Sequence, residues 1–166
     1  LIILSFLILP VYADSFDEII IKGNKRISSE TIKVFSDLNI GDDLKLIDLN
    51  NVLKELYKTN FFKDVTVEII DSNIIISVVE NPIIQEVTIK GVKKASLNEQ
   101  LLDLLTLKNK SSYVDYIVKN DLQKLKNVLR VSGYYLSDVK VLIEKNNNDT
   151  INLIYDVALG NKALIK

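Results

Sequence analysis

No cysteine and no histidine occur among the 166 residues. Their absence removes cysteine nucleophiles, Ser-His-Asp triads, the usual zinc sites and any ordinary pH switch near neutrality. Carboxylate dyads and serine–lysine pairs survive that filter. The acidic residues, however, are scattered along expected solvent faces rather than gathered in a motif. No catalytic, cofactor-binding or metal-binding residue is therefore assigned, and the chain is not read as an enzyme. Missing cysteine says little about compartment, because an oxidising space permits disulfides without requiring them. Arginine is also sparse: Arg130 is the one guanidinium in residues 83–166, and the lysines there are spread out, which disfavours nucleic acid as a partner. Long apolar runs are missing too. Leu1 to Leu9 is nearly all apolar but falls short of the roughly 20 residues that cross a bilayer.

What is present is a repeat. Glu18-Ile19-Ile20-Ile21-Lys22-Gly23-Asn24-Lys25-Arg26-Ile27-Ser28 returns 68 residues later as Glu86-Val87-Thr88-Ile89-Lys90-Gly91-Val92-Lys93-Lys94-Ala95-Ser96. That offset is too long for a solenoid and suits two small domains of roughly 70 residues, each with a thin core. With 48% apolar and 26% charged residues, neither disorder nor a multi-span membrane protein fits. Net charge is −1, but residues 1–82 balance at −5 and residues 83–166 at +4. Solvated faces account for most of that contrast. A weaker alternative is that the basic half approaches anionic lipid headgroups. The apolar start followed by Pro10 and Val11-Tyr12-Ala13 reads as the end of a signal peptide, residues 1–13, cut after Ala13 and leading to an extracytoplasmic space. An uncleaved anchor is the alternative.

Each copy reads strand-helix-helix-strand-strand, an α+β class. In the first, a β-branched strand ends at Gly23, and Ser28 caps a helix that Gly41 is expected to stop. A second helix spans about Ile47 to Thr59, with Leu49, Val52, Leu53, Leu56 and Tyr57 on one stripe. Val65, Val67 and Ile69 alternate with Thr66 and Glu68, and Asp71-Ser72-Asn73 turns the chain into a last strand. The second copy has a strand closed by Gly91, a capping box of Ser96 and Glu99, and a helix with Val118, Leu122, Leu125 and Leu129 on one face. Gly133 ends that helix, and strands from Val139 and from Thr150 follow. Gly23, Gly41, Gly91 and Gly133 are read as backbone-geometry positions, and Pro82 stiffens the linker. Phe62 and Tyr135 are expected to anchor the second helix of each copy to its sheet. Arg26 is expected to brace a carboxylate such as Asp64, with a contact to a partner as the alternative.

Three blocks, Gly23-Asn24-Lys25-Arg26-Ile27, Leu56 to Val65 (LYKTNFFKDV) and Val79-Glu80-Asn81-Pro82-Ile83-Ile84, together resemble the first POTRA domain of the Omp85 family of outer-membrane assembly factors. The second copy is similar to later POTRA units through Ile89-Lys90-Gly91 and Arg130-Val131-Ser132-Gly133-Tyr134-Tyr135. It departs at Val92, at Val131 and at Leu159-Gly160. The resemblance implies two tandem POTRA domains, residues 14–82 and 83–162, each a three-stranded mixed sheet covered on one face by two helices. Residues 163–166 would be the start of a third unit cut short.

The resemblance further implies a region of an outer-membrane protein facing the periplasm. Its partners would be unfolded outer-membrane proteins, a periplasmic chaperone and accessory lipoproteins, and its membrane attachment a C-terminal barrel not present in this chain. In this fold family the second strand lies at a sheet edge. The candidate partner strands are therefore Val65, Thr66, Val67, Glu68 and Ile69 in the first unit, and Val139, Lys140, Val141, Leu142 and Ile143 in the second. The bland alternative is that Glu68 and Lys140 keep those edges soluble and unpaired. Two other scaffolds share the unit: a cell-division protein of the FtsQ or DivIB kind, and a translocation protein of the TamA kind.

Overall fold

The computed structural model describes residues 16–43 and 47–163. The expectations placed on residues 1–13, including cleavage after Ala13, and on residues 164–166 lie outside that set.

The chain divides into two compact units between Glu80 and Asn81, two residues before the boundary expected at Pro82. In the first unit β1 spans Glu18–Lys22, α1 Ser29–Ser36, α2 Leu49–Lys58, β2 Phe62–Ile70 and β3 Asn73–Glu80. The sheet order is β1-β3-β2, with β1 parallel and β2 antiparallel to the central β3. A two-residue turn joins β2 to β3, and both Asp71 and Ser72 take positive φ. That is the turn whose twist matches a hairpin. The parallel β1–β3 pair needs a long crossover, which α1, α2 and β2 supply. Ile74, Ile76 and Val78 of β3 face the helices and bury against Ile32, Val52 and Leu56. These alternate positions are why the period-two run in the sequence packs on one side only.

The second unit repeats the order: β4 Ile83–Lys90, α3 Ala95–Leu104, α4 Asp115–Val131, β5 Asp138–Lys145 and β6 Thr150–Ala158. Its sheet runs β4-β6-β5, with β4 parallel and β5 antiparallel to β6. Leu125, Leu129 and Val118 of α4 bury against Leu101 of α3 and Leu153, Tyr155 and Val157 of β6.

The shared glycines have a specific reason. Gly23 and Gly91 each sit at positive φ just after the first strand of their unit, and a Cβ there would run into the carbonyl oxygen of Val78 or Val157 respectively. First and last strands are parallel neighbours, so the turn leaving the first presses on the backbone of the last. Gly41 is different, with positive φ but open space around it.

Three local expectations are corrected. The first helix stops at Asp37, in the left-handed region at φ 54 with its N–H on Val34 O, rather than at Gly41. Asp is among the few residues that tolerate this conformation. The Ser96–Glu99 capping box does not form: α3 begins at Ala95, with Lys94 at the cap and no side-chain cap hydrogen bond. Asn98 Nδ2 instead donates to Ile89 O at 3.0 Å, so tertiary contact with β4 sets where this helix starts. Finally, Tyr135 is exposed and is no anchor. Its neighbour Tyr134 packs on the core, because the turn after α4 swings the next side chain outward. Phe62 is buried in the core of the first unit.

Candidate functional site

β2 and β5 are outer strands of their sheets. Along β2, Val65 is buried and Val67 half-buried, whereas Thr66 and Glu68 are exposed. Ile69 and Ile70, both exposed, break the alternation at the strand's end. β5 is built alike. Val139 is buried, Val141 half-buried and Lys140 exposed, and Leu142 and Ile143 are exposed ahead of the charged strand end Glu144-Lys145. Each strand therefore carries two consecutive exposed apolar residues, one on either face of the sheet, and has one long side unpaired to any strand of its own sheet. These exposed apolar pairs are what an added strand would cover.

The other edge of the second sheet is already occupied. Val87 N donates to Asn109 Oδ1 at 2.8 Å. Ile84 exchanges backbone hydrogen bonds with Ser111 O and Lys110 N, and Tyr113 N reaches Pro82 O. An antiparallel bridge joins Ile83 to Ser112. Residues 109–113 thus strap β4 and satisfy groups that an incoming chain would need. Nothing in the composition of Lys108 to Tyr113 announces this; it depends on where α3 ends.

Two buried carboxylates, neither singled out from sequence, each brace the interior of their own unit. Glu80, with its side chain 5% exposed, accepts at Oε1 from the backbone N–H groups of Lys25, Arg26 and Ile27 at 2.7, 2.9 and 3.0 Å. Its Oε2 lies 2.9 Å from Arg26 Nε as an ion pair, without hydrogen-bond geometry. The expected Arg26–Asp64 brace is therefore corrected: the brace closes on Glu80, while Asp64 accepts from Tyr57 Oη at 3.3 Å. Parallel β1 and β3 bring their carboxyl ends together, with Lys22 registered on Ser77. The loop after Gly23 consequently lands on Glu80. Burial pushes the Glu80 carboxyl up, but the three amides and Arg26 outweigh it and hold it below the usual carboxylate range.

Asp121 lies on the buried stripe of α4 and is 0% exposed. Its Oδ2 accepts from Thr106 N at 2.7 Å and Leu107 N at 3.1 Å, and its Oδ1 from Thr106 Oγ1 at 2.7 Å and Lys124 Nζ at 2.9 Å. These amides emerge just past α3, where no strand or helix would satisfy them. Burial raises this carboxyl too, yet Lys124, Thr106 and the two amides bring it net downward. Nearby, Tyr155 Oη is buried without a hydrogen-bond partner. Burial first, and then the Asp121 charge, raise its phenol far above the ordinary value. A lone acid at the spacing of Val118, Leu125 and Leu129 was the available sequence signal for this site.

No group of three or more acidic residues among the described residues is placed to hold a metal ion, and no described helix is long and apolar enough to cross a membrane. Among the described residues the arrangement offers outer strand edges, capped at Val65 N by Tyr57 Oη at 3.1 Å and at Val139 N by Asp138 Oδ1 at 2.9 Å and open beyond, with exposed apolar side chains along them. Such surfaces bind extended chains through backbone groups.

Residues 82–160 match the POTRA family model, described as surface antigen variable number repeat. Over 150 residues the chain is 30% identical to the outer membrane protein assembly factor BamA of Neorickettsia risticii, covering 88% of this chain and 20% of that protein. The chain is a POTRA region of BamA-like type. It is also 25% identical over 158 residues to BamA of Buchnera aphidicola, covering 91% of this chain and 26% of that one. The POTRA chain here thus spans about a fifth to a quarter of the length of these curated relatives. Among solved structures, the N-terminal domain of Omp85 from Thermosynechococcus elongatus superposes with a TM-score of 0.56 at 16% identity, covering 88% of this chain and 63% of that one. POTRA domains 3–5 of Haemophilus influenzae BamA superpose at 0.51 with 18% identity, covering 89% and 67%. At such identity the superpositions speak for the fold: an α+β chain of two POTRA domains, each with a three-stranded mixed sheet and two helices.

Proposed function

We propose that this POTRA pair is the periplasmic receiving region of an outer-membrane β-barrel assembly factor, and that the free edges of β2 and β5 take up extended segments of unfolded outer-membrane proteins. The observation that carries this reading is the shape of those two strands: outermost in their sheets, and carrying consecutive exposed apolar residues, Ile69-Ile70 and Leu142-Ile143. Backbone pairing asks little of the client's sequence, which suits a receptor for many clients, and the exposed apolar pairs add burial that polar strands would lack. Because residues 109–113 strap β4, β5 is the side of the second sheet that remains for pairing. A periplasmic chaperone and accessory lipoproteins are the further partners of this reading, and a membrane barrel elsewhere in the protein holds the region at the outer membrane.

The test titrates the chain with an unfolded client peptide of alternating apolar pattern, and with the same peptide N-methylated at every second residue. Amide shifts should concentrate on Val65–Ile69 and Val139–Ile143, and the methylated peptide should lose at least about tenfold in affinity, since it forfeits several backbone hydrogen bonds. Val67→Pro and Val141→Pro, whose N–H groups face the outer edge because those of Val65 and Val139 do, should weaken binding at their own strand while the fold is retained. Equal affinity for both peptides would sink the edge-pairing reading.

A further inference from the structure

At one end of the second sheet β4 and β6 finish and β5 begins, since Lys90 registers with Asp156 and Asp138 with Ala158. The turn from α4 into β5 projects there. Val131 is 86% exposed, Leu136 81% and Tyr135 62%, so among the described residues three large apolar side chains within six residues are exposed. The turn that carries them is well braced. Tyr134 N donates to Leu129 O at 2.9 Å, Gly133 N to Arg130 O at 3.0 Å, and Ala163 N to Gly133 O at 2.9 Å. Lys162 Nζ lies 5.7 Å from the centre of the Tyr134 ring.

We infer that this turn is a membrane-contact element, which seats Val131, Tyr135 and Leu136 in the headgroup region of an anionic lipid surface. Charge at this end of the unit argues for that occupant. Lys90, Lys93, Lys94, Arg130 and Lys162 are all exposed here. Of the acids at the same end, Asp138 is paired with Lys126 at 3.5 Å. Asp156 sits in register between Lys90 and Lys140, which leaves Glu99. Shape argues the same way. The side chains protrude rather than line a groove, so they offer a peptide no walls, whereas a fluid interface closes around protruding groups. A tyrosine between aliphatic residues, ringed by lysines, is the composition that partitions to the boundary of headgroups and acyl chains. This inference is independent of the edge-strand reading, because it uses neither β2 nor the free side of β5.

The chain has no tryptophan, so one can be introduced as a unique reporter. In Tyr135→Trp the indole should shift to the blue and be quenched by brominated lipid when phosphatidylglycerol vesicles are added, and should not respond to phosphatidylcholine vesicles. Tyr116→Trp serves as the control, about 22 Å away at the other end of α4, and should stay in water. In the reporter background, Leu136→Ser should weaken vesicle binding roughly tenfold. Lys93→Gln with Lys94→Gln should weaken it about thirtyfold, at about fivefold per lysine. The inference is overturned if the two reporters respond alike, if neither responds, or if binding ignores the anionic fraction. It is equally overturned if unfolded client peptide shifts the Tyr135→Trp signal and vesicles do not.

Discussion

Replacing Asp121 removes the acceptor for two backbone amides and one hydroxyl while leaving those donors inside the second unit. The carboxylate is fully buried, and the amides of Thr106 and Leu107 reach it at 2.7 and 3.1 Å. Each buried donor stripped of its partner costs about 1–3 kcal/mol. The Lys124 pair adds under about 1 kcal/mol because that ammonium is half in water. Asp121→Ala should therefore cost about 4 kcal/mol, close to the whole stability of a domain this small, and leave the second unit largely unfolded. Asp121→Asn is the quantitative version. It keeps the shape and one acceptor oxygen, loses the charge, and turns an NH2 group toward other donors, for a cost of about 2 kcal/mol. With a urea slope of about 1–1.5 kcal/mol per molar for a unit of this size, the midpoint should fall by about 1.3–2 M. The assay is urea unfolding followed by amide resonances of each unit separately, because two domains need not melt as one. Ile76 reports on the first unit, Leu153 on the second, and amide exchange at Thr106 and Leu107 reads the local effect. The reasoning is refuted if Asp121→Asn moves the second unit's midpoint by less than about 0.5 M, or leaves those two amides as protected as before.

Acidification should act through the same groups. Asp121 and Glu80 both have folded-state values below the ordinary carboxylate range, so their contribution is complete above about pH 5 and is lost as pH falls through the folded value. Stability against pH should decline for both units on the acid side, and Asp121→Asn should flatten that decline in the second unit alone. Glu80→Gln keeps an oxygen facing the amides of Lys25, Arg26 and Ile27 but drops the charge. It should destabilise the first unit by about 1–2 kcal/mol in a melt, with Arg26→Ala costing less because its guanidinium is partly solvated. Gly91→Ala places a methyl against Val157 O at positive φ and should destabilise the second unit by several kcal/mol, whereas Gly41→Ala meets only backbone strain, about 1 kcal/mol. Calorimetry of the pair checks the ranking; similar values would refute the close-approach explanation.

The repeat, the element order and most strand positions were legible in the sequence because they rest on local pattern. Period-two alternation from Val65, a 3.6-residue stripe through Val118, Leu125 and Leu129, and glycines after each first strand all signal without knowledge of the partner. The Ser28 cap was legible for the same reason, since its side chain accepts from Thr31 N, three residues on. The edge position of β2 and β5 came from the family resemblance. Pattern alone does not say which of three strands sits in the middle.

Tertiary structure decided whatever depends on distant chain segments meeting. Ser96 and Glu99 spell a capping box, yet the helix starts elsewhere because Asn98 is drawn to the end of β4. Arg26 was matched to the wrong acid: parallel pairing of β1 and β3 delivers Glu80, 54 residues away, to the turn that Gly23 opens. Asp121 looked like one acid among many until α3 ended with two amides beside it. The sequence by itself determined the two units and which faces are apolar, since hydrophobic period is a property of consecutive residues. Only the fold decided which carboxylates are buried and which edge is strapped, because a buried charge is placed by the donors that surround it and those arrive from other elements.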